Sequence, residues 1–150
     1  MSIIAPMKIH ELGHVVLYVT NLKRCGVFYR DVLGFKEVGS SAGMIAFSSG
    51  RTHHELLLIE IGGKPLHKEV EPGLYHIGFK IGNSQAELRT AYQELEQAGV
   101  EIVGTSDHTV SKSIYCKDPD GNEIELYVDV SDGWKKDPKL VLSTPKRLEW

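Results

Sequence analysis

The second half of the 150-residue chain repeats the first, and no other feature of the sequence narrows the possible folds so far. "GFKEVG" begins at residue 34 and "GVEIVG" at 99, an offset of 65; His14 and His76 lie 62 apart, and Glu60 and Glu125 lie 65 apart. Self-similarity at a near-constant offset marks one supersecondary unit used twice. "LGHVVLYVT" (12–20) and "LYHIGFKI" (74–81) both alternate with the two-residue period of a strand, and both carry a histidine. A helical stripe follows each strand. Cys25, Phe28, Tyr29, Val32 and Leu33 run up to Gly34, while Leu88, Ala91, Tyr92 and Leu95 run up to Gly99 behind the Ser84/Glu87 capping box. Further strand-like runs complete each half, and "DPDGN" (118–122) sets the turn of a closing hairpin. The expectation is an α+β fold. Two βαβββ units, about 10–63 and 73–130, form an open, cup-shaped mixed sheet with helices outside, in one domain with a tail at 131–150.

Composition removes several classes of function. With 41% hydrophobic and 25% charged residues, the chain is long enough for one globular core. A net charge of −3 without a basic run argues against a nucleic-acid partner. No run of about 18 apolar residues offers a membrane span, and the apolar start "MSIIAPMKIH" is short and broken by Pro6, so a cytoplasmic protein is expected. Cys25 and Cys116 lack metal-site or disulfide-framework spacing and read as reduced packing residues.

Strand alternation sorts the polar residues by face. His14 opposes Val15 and Leu17, His76 opposes Ile77 and Phe79, Tyr115 opposes Ile114 and Cys116, and Glu125 opposes Ile124 and Leu126. In "RTHHELLLIEIGG" (51–63) the same reading sets His54 against Leu57 and Ile59, on the face of Glu60. One strand histidine alone is an ordinary polar residue at a sheet rim. Two at equivalent repeat positions, together with a glutamate that is costly to bury unpaired, are the ligand set of a facial triad: His14, His76 and Glu125. Such a triad leaves three positions of an octahedral metal open, enough for a chelating substrate with two oxygens and for dioxygen.

These residues resemble a known family. "GHVVLYVTNL", "FYRDVLGF", "YHIGFKI" and "DPDGNEIELYVD" are similar to the repeated signatures of the vicinal oxygen chelate superfamily, which includes glyoxalase, fosfomycin-resistance, bleomycin-resistance and extradiol dioxygenase proteins. "RTHHELLL", "DHTVSKSIYCKDPDGNEIELYVD" and the trailing "DGW" look most like the extradiol, catechol 2,3-dioxygenase-type branch. That resemblance implies an Fe(II)-dependent enzyme of aromatic catabolism that opens an aromatic diol with O2, and the same ligands also accept Mn(II), Zn(II) or Ni(II). It implies iron ligation by His14, His76 and Glu125, acid–base work by His54, and hydrogen bonding to substrate by Tyr115 and His108. A histidine titrating near neutrality suits that acid–base role. The plain readings stay open beside these: Tyr115 as strand packing, His108 as a loop histidine, His53 as a solvated one.

Large extradiol enzymes have two such domains, whereas this chain has one pair of units and must complete its pocket with its own tail or with another subunit; a homodimer or higher homo-oligomer is expected. Residues 131–150 can serve as a lid, with Trp134 or Leu142 over the ring, or as a docking tail. Two other functions compete. A glyoxalase-like lyase or isomerase would use a fourth ligand, for which Glu60 is the candidate; a metal-free binding protein of the resistance type would need no triad. Glu60 is expected to stay off the metal and to accept a hydrogen bond nearby or at the end of its strand.

Overall fold

The computed structural model describes residues 7–66, 70 and 72–150; the first six residues and part of the linking loop, 67–69 and 71, lie outside the described residues. The first unit runs β1 (Val15–Val19), α1 (Leu22–Val27) continued by a π-helical turn (Phe28–Val32), β2 (Lys36–Ser41), β3 (Met44–Ser48) and β4 (Leu56–Glu60). The second runs β5 (His76–Gly82), α2 (Gln85–Gln97), β6 (Ile102–Asp107), β7 (Ser111–Lys117) and β8 (Glu123–Asp129). The two sheets have the same order, β1-β4-β3-β2 and β5-β8-β7-β6, with the first pair parallel and the others antiparallel. Even the bulges repeat: the ladder slips between Glu37 and Gly39 in one unit and between Ile102 and Gly104 in the other. The two βαβββ units of the sequence are therefore present, as an α+β fold of two mixed sheets.

Local chemistry accounts for the helix boundaries. Asn21 caps α1 by accepting from the Arg24 amide at 2.8 Å. Ser84 and Glu87 form the full capping box on α2, and Gly99 ends the chain's run in a left-handed conformation at φ +68°. The single amphipathic helix expected up to Leu33 is instead α-helical only to Val27, and Leu33 N–H donates to the Phe28 carbonyl five residues back. Widening that turn lets the adjacent rings Phe28 and Tyr29 both reach the core, where they meet edge to face at 5.0 Å.

Each sheet buries one face and leaves the other open. Leu17, Val19, Phe47, Leu56 and Leu58 of the first sheet share one buried cluster with Ile77, Ile114, Ile124, Leu126 and Val128 of the second and with residues of both helices. Phe35 against Phe79 at 5.0 Å joins the units within it. The "DPDGN" turn is a second joint. Its buried Asp120 accepts from Thr20 N at 2.8 Å and Thr20 Oγ1 at 2.5 Å, and Asp118 accepts from the Tyr29 hydroxyl at 2.7 Å. Cys25 and Cys116 are both fully buried in this core, and burial pushes each thiol up to about 12. No helix among the described residues is long and apolar enough to cross a membrane.

Candidate metal and substrate site

The open face of the second sheet gathers most of the chemistry. Tyr115 on β7 pairs directly with Glu125 on β8, and Gly78 on β5 pairs with Glu125 from the other side. A Cβ at Gly78 would stand 3.3 Å from Glu125 Oε2, so the glycine leaves the carboxylate the room it occupies. His76 Nε2 lies 3.0 Å from Glu125 Oε2, and its buried Nδ1 has no hydrogen-bond partner among the described residues. Glu125 Oε1 accepts from Ser113 Oγ at 2.5 Å and from the Tyr115 hydroxyl at 3.3 Å, while His108 Nε2 lies 2.8 Å from that hydroxyl. Burial and the Glu125 carboxylate raise the Tyr115 phenol above its ordinary range. Tyr115 therefore remains a neutral hydroxyl and a donor at neutral pH.

His108 owes its position to a tight turn between β6 and β7. Its amide donates to the Ser111 carbonyl at 2.8 Å, and the next residue, Thr109, adopts φ +74°, a conformation costly for a β-branched side chain. Thr109 N–H donates to the Asp107 carboxylate at 2.8 Å, which holds the turn. His76, His108, Tyr115 and Glu125 thus line one cavity of about 540 Å³, closed on one side by Trp134 and Val141 of the tail. Leu142, the alternative lid residue, is 84% exposed and does not line it.

His14 lies elsewhere. It is exposed at the head of β1, its ring 4.6 Å from that of His54 and 6.4 Å from that of His53, and it lines a neighbouring cavity with Arg51, Glu55 and Phe79. Among the described residues, no group of three histidine, cysteine or carboxylate side chains is arranged to hold a metal ion. His54 precedes β4 in a loop, so strand alternation does not set its direction; the loop brings it to His14. Partial burial and the neighbouring imidazoles of His53 and His14 hold His54 below its usual 6.5, which leaves it neutral and able to accept a proton.

Glu60 is not the counterpart of Glu125. The register that pairs Gly78 with Glu125 pairs Val16, the residue 62 places before Gly78, with Leu57. Leu57 in turn pairs with Ala46, where the second unit has Tyr115 opposite Glu125. Glu60 points to the helix-bearing side, where its Oε2 accepts from the Leu22 amide at 2.6 Å, a carboxylate at a helix N-terminus. The offset of 65 joining the two glutamates in sequence holds for the bulged strands; the longer β6–β7 turn, which carries His108, shifts it before β8. Ser113 is a site residue that reading for ionisable groups passes over. Its place on β7, two residues before Tyr115 and on the same face, is the signal that marks it.

The chain matches the model of the Glyoxalase/Bleomycin resistance protein/Dioxygenase superfamily over residues 11–126. It is 32% identical over 121 residues to biphenyl-2,3-diol 1,2-dioxygenase 3 of Rhodococcus globerulus and 32% identical over 134 residues to catechol-2,3-dioxygenase of Bacillus subtilis. These alignments take in 79% and 86% of this chain but only 63% and 46% of those proteins, so the chain spans about half to two thirds of their length. Metallothiol transferase FosB of Staphylococcus haemolyticus is 31% identical over 79% of this chain and 84% of its own. In fold, a glyoxalase/dioxygenase from Nostoc punctiforme superposes with a TM-score of 0.69 at 20% identity, covering 87% of this chain and 98% of that one. The chain is a member of the Glyoxalase/Bleomycin resistance protein/Dioxygenase superfamily.

Proposed function

We propose that this protein is a metal-dependent extradiol dioxygenase that opens a catechol-type ring with O2, working as a homodimer in the cytoplasm. The observation that carries the reading is the convergence of His76, Glu125, Tyr115 and His108 on one cavity. An imidazole and a carboxylate in contact, with one buried ring nitrogen unpartnered, fit a divalent metal; completed by a second imidazole they make the donor set of non-haem Fe(II) oxygenases, which also accepts Mn(II), Zn(II) or Ni(II). His76 and Glu125 would hold the metal from one copy and His14 from a second, since His14 stands in a separate cavity of its own chain. Leucine at the position matching Glu125 in the first unit supports three protein ligands rather than the four of a glyoxalase-like isomerase.

Bound there, iron supplies the one-electron chemistry that O2 needs to react with a closed-shell diol. The chain's own residues supply the rest. His54, which stands beside His14 and would enter the site with it from the second copy, would accept a proton from a diol hydroxyl as the substrate binds and return one later. Tyr115, held protonated, donates to a substrate oxygen as negative charge gathers on it, and His108 fixes the direction of that donor. Val110, Trp134 and Val141 supply the apolar part of the lining and would cover the ring. The similarity to FosB favours, as the second reading, another metal-dependent reaction of the superfamily.

Anaerobic reconstitution with Fe(II), then a panel of catechols and dihydroxybiphenyls with and without air, separates the two. Expected are a yellow ring-opened product and one O2 consumed per ring. Stoichiometric iron with neither colour nor oxygen uptake across the panel overturns the dioxygenase reading in favour of the second.

A further inference from the structure

We infer that the C-terminal segment 131–150 is a fixed strap whose Trp134 and Val141 make this site select ligands with an apolar substituent beside the polar head, an aryl-substituted diol above an unsubstituted one. The inference rests on the proposed cavity as the ligand site. The match to the superfamily model ends at residue 126, so the strap lies beyond the matched part of the chain.

Both ends of the strap are fastened. Where it leaves β8, Val130 and Ser131 donate to the Val110 carbonyl at 2.9 and 3.2 Å. At the far end Lys146 and Asp107 exchange backbone hydrogen bonds at 2.8 and 2.9 Å, and Leu148 enters the core at 5% exposure. Trp150 then packs against Tyr92 of α2 at 5.2 Å, with the Arg89 guanidinium 6.0 Å from its ring. The stretch between carries two short 3-10 turns, Gly133–Lys135 and Pro138–Leu142, the second capped by Asp137.

Trp134 and Val141, both apolar and 41% and 55% exposed, line the cavity. The second sheet and its β6–β7 turn give the same cavity a polar lining: His76, Glu125 and the Tyr115–His108 pair. One cavity with a chelating wall and an apolar wall fits an amphiphile whose diol meets the first and whose ring substituent meets the second. An indole held at both ends of its segment offers a flat face with little ordering cost on binding.

The test uses the single-tryptophan variant Trp150→Phe, which retains an aromatic ring against Tyr92 and leaves Trp134 as the chain's one tryptophan. The Fe(II)-loaded protein is titrated under anaerobic conditions with 2,3-dihydroxybiphenyl, with catechol, and with 2-hydroxybiphenyl, which carries the aryl group but cannot chelate. Saturable change in Trp134 emission is expected with both biphenyls. Trp134→Ala should weaken dihydroxybiphenyl binding, measured by calorimetry, about tenfold or more, and catechol binding by less than about threefold. Trp134→Leu, which retains apolar volume, should fall between. Equal losses for both diols, or no saturable emission change, overturn the strap's role. Saturable binding with the expected selectivity but without oxygen uptake in air keeps the strap and removes the dioxygenase reading; oxygen uptake with unaltered selectivity in Trp134→Ala does the reverse.

Discussion

Ser113 is fully buried, and its hydroxyl donates to Glu125 Oε1, while Oε2 faces His76. That division leaves one carboxylate oxygen tied to the sheet and the other free for a metal, so Ser113 acts by positioning Glu125. Ser113→Ala should retain the fold and weaken divalent metal binding about 10- to 100-fold, the usual effect of removing a partner that orients a ligand. Ser113→Thr should restore binding in the same calorimetric titration. Unchanged affinity in the alanine variant would sink the positioning role. At this scale strand alternation made His76, Tyr115 and Glu125 legible in sequence, because the face of a strand residue is a local property. Strand alternation does not reach His54, which sits in a loop, and the offset that aligns Glu60 with Glu125 hides an insertion between the repeats that only the ladder exposes. Ser113 escaped notice because a hydroxyl in a strand carries no chemistry of its own.

Among the elements, the "DPDGN" turn does more than reverse the chain between β7 and β8. It docks on the end of β1 and the start of α1, where Asp120 also meets Arg24 Nη2 at 3.0 Å and accepts from the Cys25 thiol at 3.2 Å. Burial alone would raise the Asp120 pKa, but the hydrogen bonds from Thr20 and Cys25 and the charge of Arg24 hold it below its usual 3.8. A carboxylate depressed in the folded state contributes stability that is complete above its unfolded pKa and is lost as pH falls through the folded one. Native protein should therefore loosen at this joint below about pH 4. Asp120→Ala should lose about 3 kcal/mol or more, since it leaves buried donors without their acceptor. Urea unfolding at pH 7 checks the loss, and the variant should show a shallower decline in stability between pH 5 and 3 than the parent. A variant as stable as the parent would show that the turn's docking contributes nothing. The turn itself and the α2 capping box were readable because Pro, Gly and Ser-x-x-Glu dictate local geometry. The docking was not readable, because sequence says where a turn forms but not what it touches. The π-turn after Val27 escaped for a similar reason: it answers to where Phe28 and Tyr29 find room in the core.

For the molecule as a whole, the duplication announced two matching sheets, and face parity told which side of each carries the histidines. Parity cannot tell which neighbour covers that side. His14, with His54 beside it, stands apart from His76 and Glu125, His14 and His76 lining different cavities, and Val16 and Tyr18 on the open face of β1 are 45% and 69% exposed. A two-fold pairing that lays the first sheet of one copy against the second sheet of another would cover these apolar residues and create two equivalent sites, because such an interface is self-complementary. Complementation between two dead variants tests this directly. His14→Ala and Glu125→Gln should each bind almost no Fe(II). When the two are unfolded together and refolded, half of the dimers are mixed, and each mixed dimer holds one doubly damaged site and one intact site, so iron binding should recover to about a quarter of wild type. Oxygen uptake with a catechol should recover in the same proportion. If the variants form mixed dimers, as tagged copies co-purifying would show, yet no iron binding returns, then the three ligands belong to one chain and the shared site is wrong.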